Sequence, residues 1–246
     1  MSPQTATAAM LAIGDELLSG RTKDKNIGHL AEVMTVAGID LKEVRIIGDE
    51  PHMIADTVNT LRRSYDLVFT SGGIGPTHDD ITADAIAAAF GLPVIEHPEA
   101  IARLGSHYAA REMEFTPARR RMTRTPEGAS LIDNPVSVAP GFRIDNVFVM
   151  AGVPSVFQAM LASLADTLPV GTPLKSRTIP CLFGEGDIGD PLSAIARAHP
   201  DVVIGSYPKF DGTGYFNEIV VRSRDEAALD DAASAVDAML AAQASR

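Results

Sequence analysis

The sequence predicts an α/β protein with a mostly parallel sheet covered by helices on both faces, followed by a small α+β unit. Three observations carry that reading. Short apolar runs alternate with longer amphipathic stretches, the pattern of consecutive βαβ units. Several runs empty into glycine- or acid-rich loops rather than tight hairpin turns. The segment Pro169-Val170-Gly171-Thr172-Pro173 interrupts the alternation and marks a linker, so domains are expected at residues 1–168 and 174–246.

The elements follow in order. Ala8 to Ile13 is a buried strand stopping at Gly14-Asp15-Glu16. From Asn26 to Ala37, Ile27, Leu30, Ala31, Met34 and Ala37 recur at helical spacing, and Gly38 stands where a helix would stop. Val44 to Ile47 reads as a strand. Asp49-Glu50-Pro51 then opens a helix to about Arg63, with acids at its N-terminus and proline in its first turn. Asp66 to Thr70 is a buried strand, Ser71 to Asp79 a loop, and Ile81 to Phe90 an Ala-rich helix.

Pro98 to Arg124 reads as helical and highly charged, and Pro126 to Ala139 as loop. Arg143 to Met150 is expected as one strand and Pro154 to Leu168 as a helix. Beyond the linker come a strand (Ser176 to Leu182), a helix (Pro191 to Ala198), two strands (Val202 to Ser206, Tyr215 to Arg222) and a helix (Glu226 to Ala242).

Composition narrows the function. The 246 residues are 46% hydrophobic and 5% aromatic with no Trp, which suits a core of Ala, Val, Ile and Leu. A chain this long buries most of its surface without a disulfide or metal staple. The net charge of −11 disfavours a grip on nucleic acid or anionic lipid, so neither partner is expected. Met1 to Ala9 has no basic residue ahead of an apolar core and does not read as a signal peptide. The uncharged run Val147 to Ala165 is broken by Gly152 and Pro154 into strand, turn and helix, so no membrane span is expected. Cys181 is the single cysteine, which rules out an internal disulfide and fits a cytoplasmic protein. It lies in an apolar strand and reads as an inert core thiol.

The sharpest motif is Thr70-Ser71-Gly72-Gly73-Ile74-Gly75-Pro76-Thr77-His78-Asp79-Asp80-Ile81-Thr82. A buried strand ends, three glycines turn the backbone and a helix begins. Ligands of open α/β sheets bind at the carboxyl ends of strands, and helix N-termini favour phosphate. The spacing is neither a Rossmann fingerprint nor a P-loop. A plain glycine turn with Asp79 or Asp80 capping the helix is the competing reading. Acidic pairs also stand at Asp15-Glu16 and Asp49-Glu50. Singly, each would cap a helix or face water; three pairs at three strand exits point to a site. Oxygen-rich acids of this kind suit Mg²⁺ or Mn²⁺ bridging to phosphate oxygens.

Ile13-Gly14-Asp15-Glu16-Leu17-Leu18-Ser19-Gly20, Asp24-x-Asn26 and the Gly72–Thr82 motif resemble the competence/damage-inducible protein A family. Pro126-Glu127-Gly128-Ala129, Asn134-Pro135, Ala139-Pro140-Gly141-Phe142 and Ile204-Gly205-Ser206-Tyr207-Pro208 continue that resemblance in order along the chain. The loop with His78 is similar to the molybdopterin-binding-like domain of FAD synthases. The resemblance implies a three-layer core of the molybdopterin-binding, Mog/MoaB-like type. A phosphorylated pterin, molybdopterin among them, or a nucleotide would lie over Ser71, Gly72, Gly73, Gly75, Pro76, Thr77 and His78, with Gly14, Asp15 and Glu16 beside it.

It also implies roles for the acids. Asp80 and Asp49 are the candidate catalytic residues, and Asp79, Asp80 and Asp15 the candidate ligands of Mg²⁺, Mn²⁺ or Co²⁺, with K⁺ as a further cation. Two activities are compatible with this set: binding without turnover, or metal-dependent pyrophosphate hydrolysis of ADP-ribose or FAD to AMP. A homo-oligomer is expected on the same ground. Two positions depart from the family pattern. Ala151-Gly152-Val153-Pro154-Ser155-Val156-Phe157 lacks a usual proline and glutamate, and Ser137 stands where glycine is common. Arg119-Arg120-Arg121 and Arg124 read as a solvated face ahead of a phosphate contact. No histidine pair has zinc-ligand spacing.

Overall fold

The computed structural model describes residues 5–210, 212 and 214–245. They form two compact units, one ending at Gly171 and one beginning at Thr172.

The first unit runs β1 (Thr7–Ile13), α1 (Asp15–Leu18), α2 (Asn26–Ala37), β2 (Asp40–Ile47), α3 (Pro51–Ser64), β3 (Leu67–Ser71) and α4 (Thr82–Phe90). It continues with β4 (Val94–Glu96), α5 (Pro98–Ala109), α6 (Pro117–Arg120), β5 (Arg124–Pro126), β6 (Ser130–Ile132), β7 (Gly141–Ile144), β8 (Val147–Met150) and α7 (Pro154–Ser163). The main sheet has the order β2-β1-β3-β8-β7-β6. β1 pairs in parallel with both β2 and β3, and β3 with β8; β7 is antiparallel to its neighbours β8 and β6.

Period-two alternation makes the three layers. Ala8, Met10 and Phe69 face one side, where Leu30 and Met34 of α2 and Phe157, Met160 and Leu161 of α7 cover them. Ala9, Leu11, Ile13 and Val68 face the other, under Ile54, Val58 and Leu61 of α3 and Ile86 of α4. Phe69 stacks on Phe148 with ring centroids 5.0 Å apart. The chain leaves β1 toward β2 on one side and returns to β3 on the other. The exits of β1 and β3 therefore bound a crevice, the usual ligand position in open α/β sheets.

Three expectations are corrected. The stretch expected as one strand, Arg143 to Met150, is a hairpin, β7 and β8, turning at Asp145-Asn146 with Asp145 at φ 54°. The charged stretch Pro98 to Arg124 is not one helix. α5 stops at Ala109, and Pro117 starts the separate α6, whose N-cap Thr116 accepts the Arg119 amide. The helix expected to reach Leu168 ends at Ser163 and tightens into a single 3₁₀ turn, Ala165–Thr167.

The second unit comprises β9 (Lys175–Cys181), α8 (Glu185–Ala198), β10 (Val203–Phe210), β11 (Tyr215–Ser223) and α9 (Glu226–Ala244), with the antiparallel order β10-β11-β9. Its core joins Ile179, Cys181, Ile219 and Val221 to Ile188 of α8 and to Leu229, Ala233 and Val236 of α9. α8 starts before the expected Pro191 and carries that proline inside it. Proline has no N–H for the Asp187 carbonyl one turn back, and Gln243 Nε2 donates to that carbonyl instead at 3.4 Å. Cys181 is buried, as its apolar strand implies. Among the described residues no helix is long and apolar enough to cross a membrane.

Candidate functional site

The crevice at the strand ends is a cleft of about 530 Å³, within the ordinary range for small-ligand sites. Gly14 and Glu16 reach it from the exit of β1, Asp49 from β2, and Gly72, Gly73, Ile74, Gly75, Asp79 and Asp80 from β3. Ala151 to Pro154, after β8, and Asn134, Ser137, Ala139 and Pro140, between β6 and β7, form much of the remaining wall.

The glycine loop is built in two halves. In the first, the Gly72 amide extends the sheet ladder by donating to the Met150 carbonyl at 3.1 Å. The Gly73 carbonyl accepts the Thr82 amide at 3.0 Å, and Thr82 Oγ1 donates to the Gly72 carbonyl at 3.0 Å. Gly72 (φ 111°) and Gly73 (φ 68°) cannot be replaced freely. A Cβ on the first would strike the Ile13 carbonyl oxygen and on the second Thr82 Oγ1. Among the described residues the amides of Gly73, Ile74 and Gly75 have no partner. The Gly72 amide, expected to help hold a phosphate, is committed to the sheet.

In the second half the Asp80 carboxylate accepts the Thr77 amide at 2.8 Å and the Thr77 hydroxyl at 2.6 Å. The alternative reading of Asp79 or Asp80 as a helix cap is thereby corrected. The N-cap of α4 is Ile81, which has no capping side chain, and Asp80 closes its own loop instead. From outside, Arg121 Nε donates to the Thr77 carbonyl and its Nη2 to the Asp80 carbonyl, both at 3.0 Å. The nearby Thr77 hydroxyl first, then the Asp79 amide and the charges of His78 and Arg121, hold the Asp79 carboxyl below its ordinary range.

The other acids are tied to each other. The Asp15 amide donates to Asp49 Oδ2 at 2.9 Å, and the Asp49 amide to Asp15 Oδ1 at 3.3 Å. The Asp15 carboxylate also lies against Gly48, where a Cβ would meet it. Asp49 and Glu16 thus line the cleft, whereas Asp15 braces the neighbouring loop. Among the described residues no group of three or more His, Cys, Asp or Glu side chains is placed to hold a metal ion. The set Asp15, Asp79 and Asp80 is not gathered at one point. His78 is almost fully exposed, with Nδ1 4.0 Å from Asp79 Oδ1. Pro76 and Thr77 lie outside the cleft wall, Thr77 serving Asp80.

Two polar residues contribute more than the sequence suggested. Buried Asn26, at the start of α2, donates through Nδ2 to Ser71 Oγ at 2.7 Å and to the Gly152 carbonyl at 2.8 Å. It joins the exits of β3 and β8, and it places Ser71 in a small side recess with Lys23, Asp24 and Lys25. Asn134 accepts the amides of Val136 and Ser137 and donates to Ser137 Oγ and the Ala139 carbonyl. Ser137 therefore supplies an acceptor where glycine was expected. Val138 pays for the turn with φ 68°, a strained position for a β-branched residue. The arginines are not a solvated face either. Arg124 pairs with Asp84 at 2.5 Å, Arg120 with Glu96, and Arg119 lies over the Tyr108 ring. A long-range partner leaves no periodic signal, so spacing alone had no means of finding these contacts.

Comparison with known proteins places this geometry. The model of a probable molybdopterin binding domain matches residues 9–170, and that of the FAD synthase middle domain matches residues 173–246. A protein of Archaeoglobus fulgidus is 33% identical over 81% of this chain and 85% of its own length. A CinA-like protein of Desulfosudis oleivorans is 33% identical over 82% of this chain and 52% of its own. One of Geobacter metallireducens is 35% identical over 80% and 50%, so the chain spans about half the length of these two relatives. The solved structure of CinA from Thermoplasma acidophilum superposes with a TM-score of 0.62 at 28% identity, covering 66% of this chain and 98% of that one. The cleft, its glycine loop and its acidic strand exits all fall within the first matched region, and the chain belongs to the CinA-like proteins with a Mog/MoaB-type molybdopterin-binding domain.

Proposed function

We propose that the cleft binds a phosphorylated pterin or nucleotide, with the amides of Gly73, Ile74 and Gly75 donating to a phosphate oxygen. The observation that carries this reading is the run of three amides ahead of α4 that are unpartnered among the described residues, at the crevice between the exits of β1 and β3. Molybdopterin is one ligand of this class. The working state we propose is a cytoplasmic homo-oligomer, as the family resemblance implies.

A second reading, hydrolysis of a dinucleotide pyrophosphate such as ADP-ribose or FAD, is favoured by a separate observation. Glu16, Asp49, Asp79 and Asp80 line the same cleft, and this negative wall repels a diphosphate unless a cation intervenes. Glu16, Asp49, Asp79 and Asp80, no three of which converge on one point among the described residues, would hold such a cation only together with the ligand, their carboxylate oxygens being of the class that suits Mg²⁺, Mn²⁺ or Co²⁺. The cation would supply charge neutralisation of the diphosphate. Asp49 and Asp80 are the groups we assign to orienting a water and taking its proton. The water oxygen bonds to one phosphorus and the bridging P–O bond breaks. ADP-ribose yields AMP and ribose phosphate; FAD yields AMP and FMN.

Incubation with ADP-ribose, FAD and NAD, each with Mg²⁺, Mn²⁺ or Co²⁺ and K⁺, separates the two readings. AMP that is lost with EDTA and in Asp80→Asn supports hydrolysis. Calorimetric binding of an unchanged ligand supports the first reading. Neither binding nor product would overturn both.

A further inference from the structure

Two adjacent carboxylates at a phosphate loop need a compensating positive charge, and the loop itself contains none beyond the exposed His78. We infer that Arg121 supplies that charge and is the positioning residue of the glycine loop, locking Thr77 and Asp80 from outside while the Asp80 carboxylate locks them from inside. The consequence for turnover rests on the hydrolytic reading above; the consequence for loop order does not.

The geometry is specific to arginine. Nε and Nη2 of one planar guanidinium reach two carbonyls three residues apart, each at 3.0 Å. A lysine ammonium is a point donor and cannot span both with the same fixed spacing. Arg121 sits in the turn Arg121–Thr123 that follows α6, so the clamp comes from a part of the chain remote from the loop. It lines a shallow recess behind the loop together with Gly73, Gly75, Asp80, Asp84 and Arg124. Arg124 is already paired with Asp84, which leaves Arg121 as the cation directed at the loop backbone. Thr77 and Asp80 are thereby held through both donor and acceptor groups, whereas the amides of Gly73, Ile74 and Gly75 have no partner among the described residues. That is the preorganisation an anion site requires.

The test uses the full chain and three variants: Arg121→Met, Arg121→Lys and, as a neighbour outside the loop, Arg119→Met. Hydrogen exchange of the Thr77 and Asp80 amides, the hydrogen-bonded ones of the loop, is measured without ligand, beside thermal unfolding. In Arg121→Met exchange there accelerates about tenfold, the loss expected for charged hydrogen bonds to backbone. Arg121→Lys falls between, and Arg119→Met exchanges as wild type. With ADP-ribose and Mn²⁺, kcat of Arg121→Met falls by more than KM rises, and lysine restores part of kcat. Wild-type exchange in Arg121→Met overturns the inference whatever the activity. Faster exchange with kcat and KM both unchanged overturns its bearing on catalysis. If wild type makes no AMP, the hydrolytic reading fails and the exchange comparison still decides the role of Arg121.

Discussion

The loops leaving β1 and β3 sit side by side at the carboxyl end of one sheet, yet they use their backbone amides in opposite ways. After β1 the first two amides are satisfied at once. The Gly14 amide donates to the Ile47 carbonyl, the Asp15 amide to Asp49, and α1 begins immediately. After β3, glycines carry the chain through positive φ, and the amides of Gly73, Ile74 and Gly75 stay unpartnered among the described residues. Both loops are acidic, but only the second leaves three consecutive amides unpartnered among the described residues. Acid content therefore does not distinguish a phosphate cradle from a braced loop; the fate of the amides does.

The largest expected effect comes from removing that distinction. Gly72→Ala drives a Cβ into the Ile13 carbonyl at φ 111°, and should cost about 3 kcal/mol with loss of nucleotide binding. Urea unfolding and titration with AMP measure both, and a variant that folds and binds as wild type would show that the close packing of the two loops is dispensable. Next is Asn26→Ala, which cuts the link between Ser71 and Gly152 and should cost about 2 kcal/mol by leaving the buried Ser71 hydroxyl and the Gly152 carbonyl without that donor. Urea unfolding again reads it; a loss below a few tenths would mean that water replaces the amide fully.

A gain is expected at the cleft rim. Val138→Gly relieves φ 68° in the Asn134–Ala139 turn and should stabilise by about 1 kcal/mol. A lower melting temperature would show that the valine side chain contributes packing that outweighs its strain.

The smallest effect lies at the opposite end of the same two strands. The Asp66 carboxylate accepts the Thr7 amide and hydroxyl, both at 2.8 Å, and these hydrogen bonds hold its pKa below the ordinary value. A depressed folded pKa adds stability above the ordinary carboxylate range, and that contribution disappears as pH falls through the folded value. The stability gap between wild type and Asp66→Asn should therefore be present at neutral pH and close below about pH 4. A gap independent of pH would remove the charge from the explanation. Ligand binding at neutral pH should be unchanged, because Asp66 lies at the far end of β1 and β3 from the cleft.

Much of this molecule is legible in the residue order because local rules govern it. α2 spans Asn26–Ala37, as its apolar spacing and Gly38 predict, and Gly38 adopts φ 74°. The buried strands, the glycine loop and the acidic exits follow from the same periodicity and turn chemistry. The β7–β8 hairpin is not legible locally, because Asp145-Asn146 is a weak turn signal between apolar segments. The extent of α8 is hidden by Pro191, which argues against a helix interior, whereas the freed Asp187 carbonyl is satisfied by Gln243 from far along the chain.

Residue order alone specifies the α/β class, the order of most elements and the loop able to approach a phosphate, since each depends on neighbours within a few positions. Long-range packing settles which acids face the cleft, that Asp80 closes its own loop, and that Arg121 and Asn26 bond to the segments around it. Those outcomes depend on hydrogen bonds between groups distant in the chain. Such bonds form only after the sheet has set the relative positions of its strand ends, and no spacing rule encodes them.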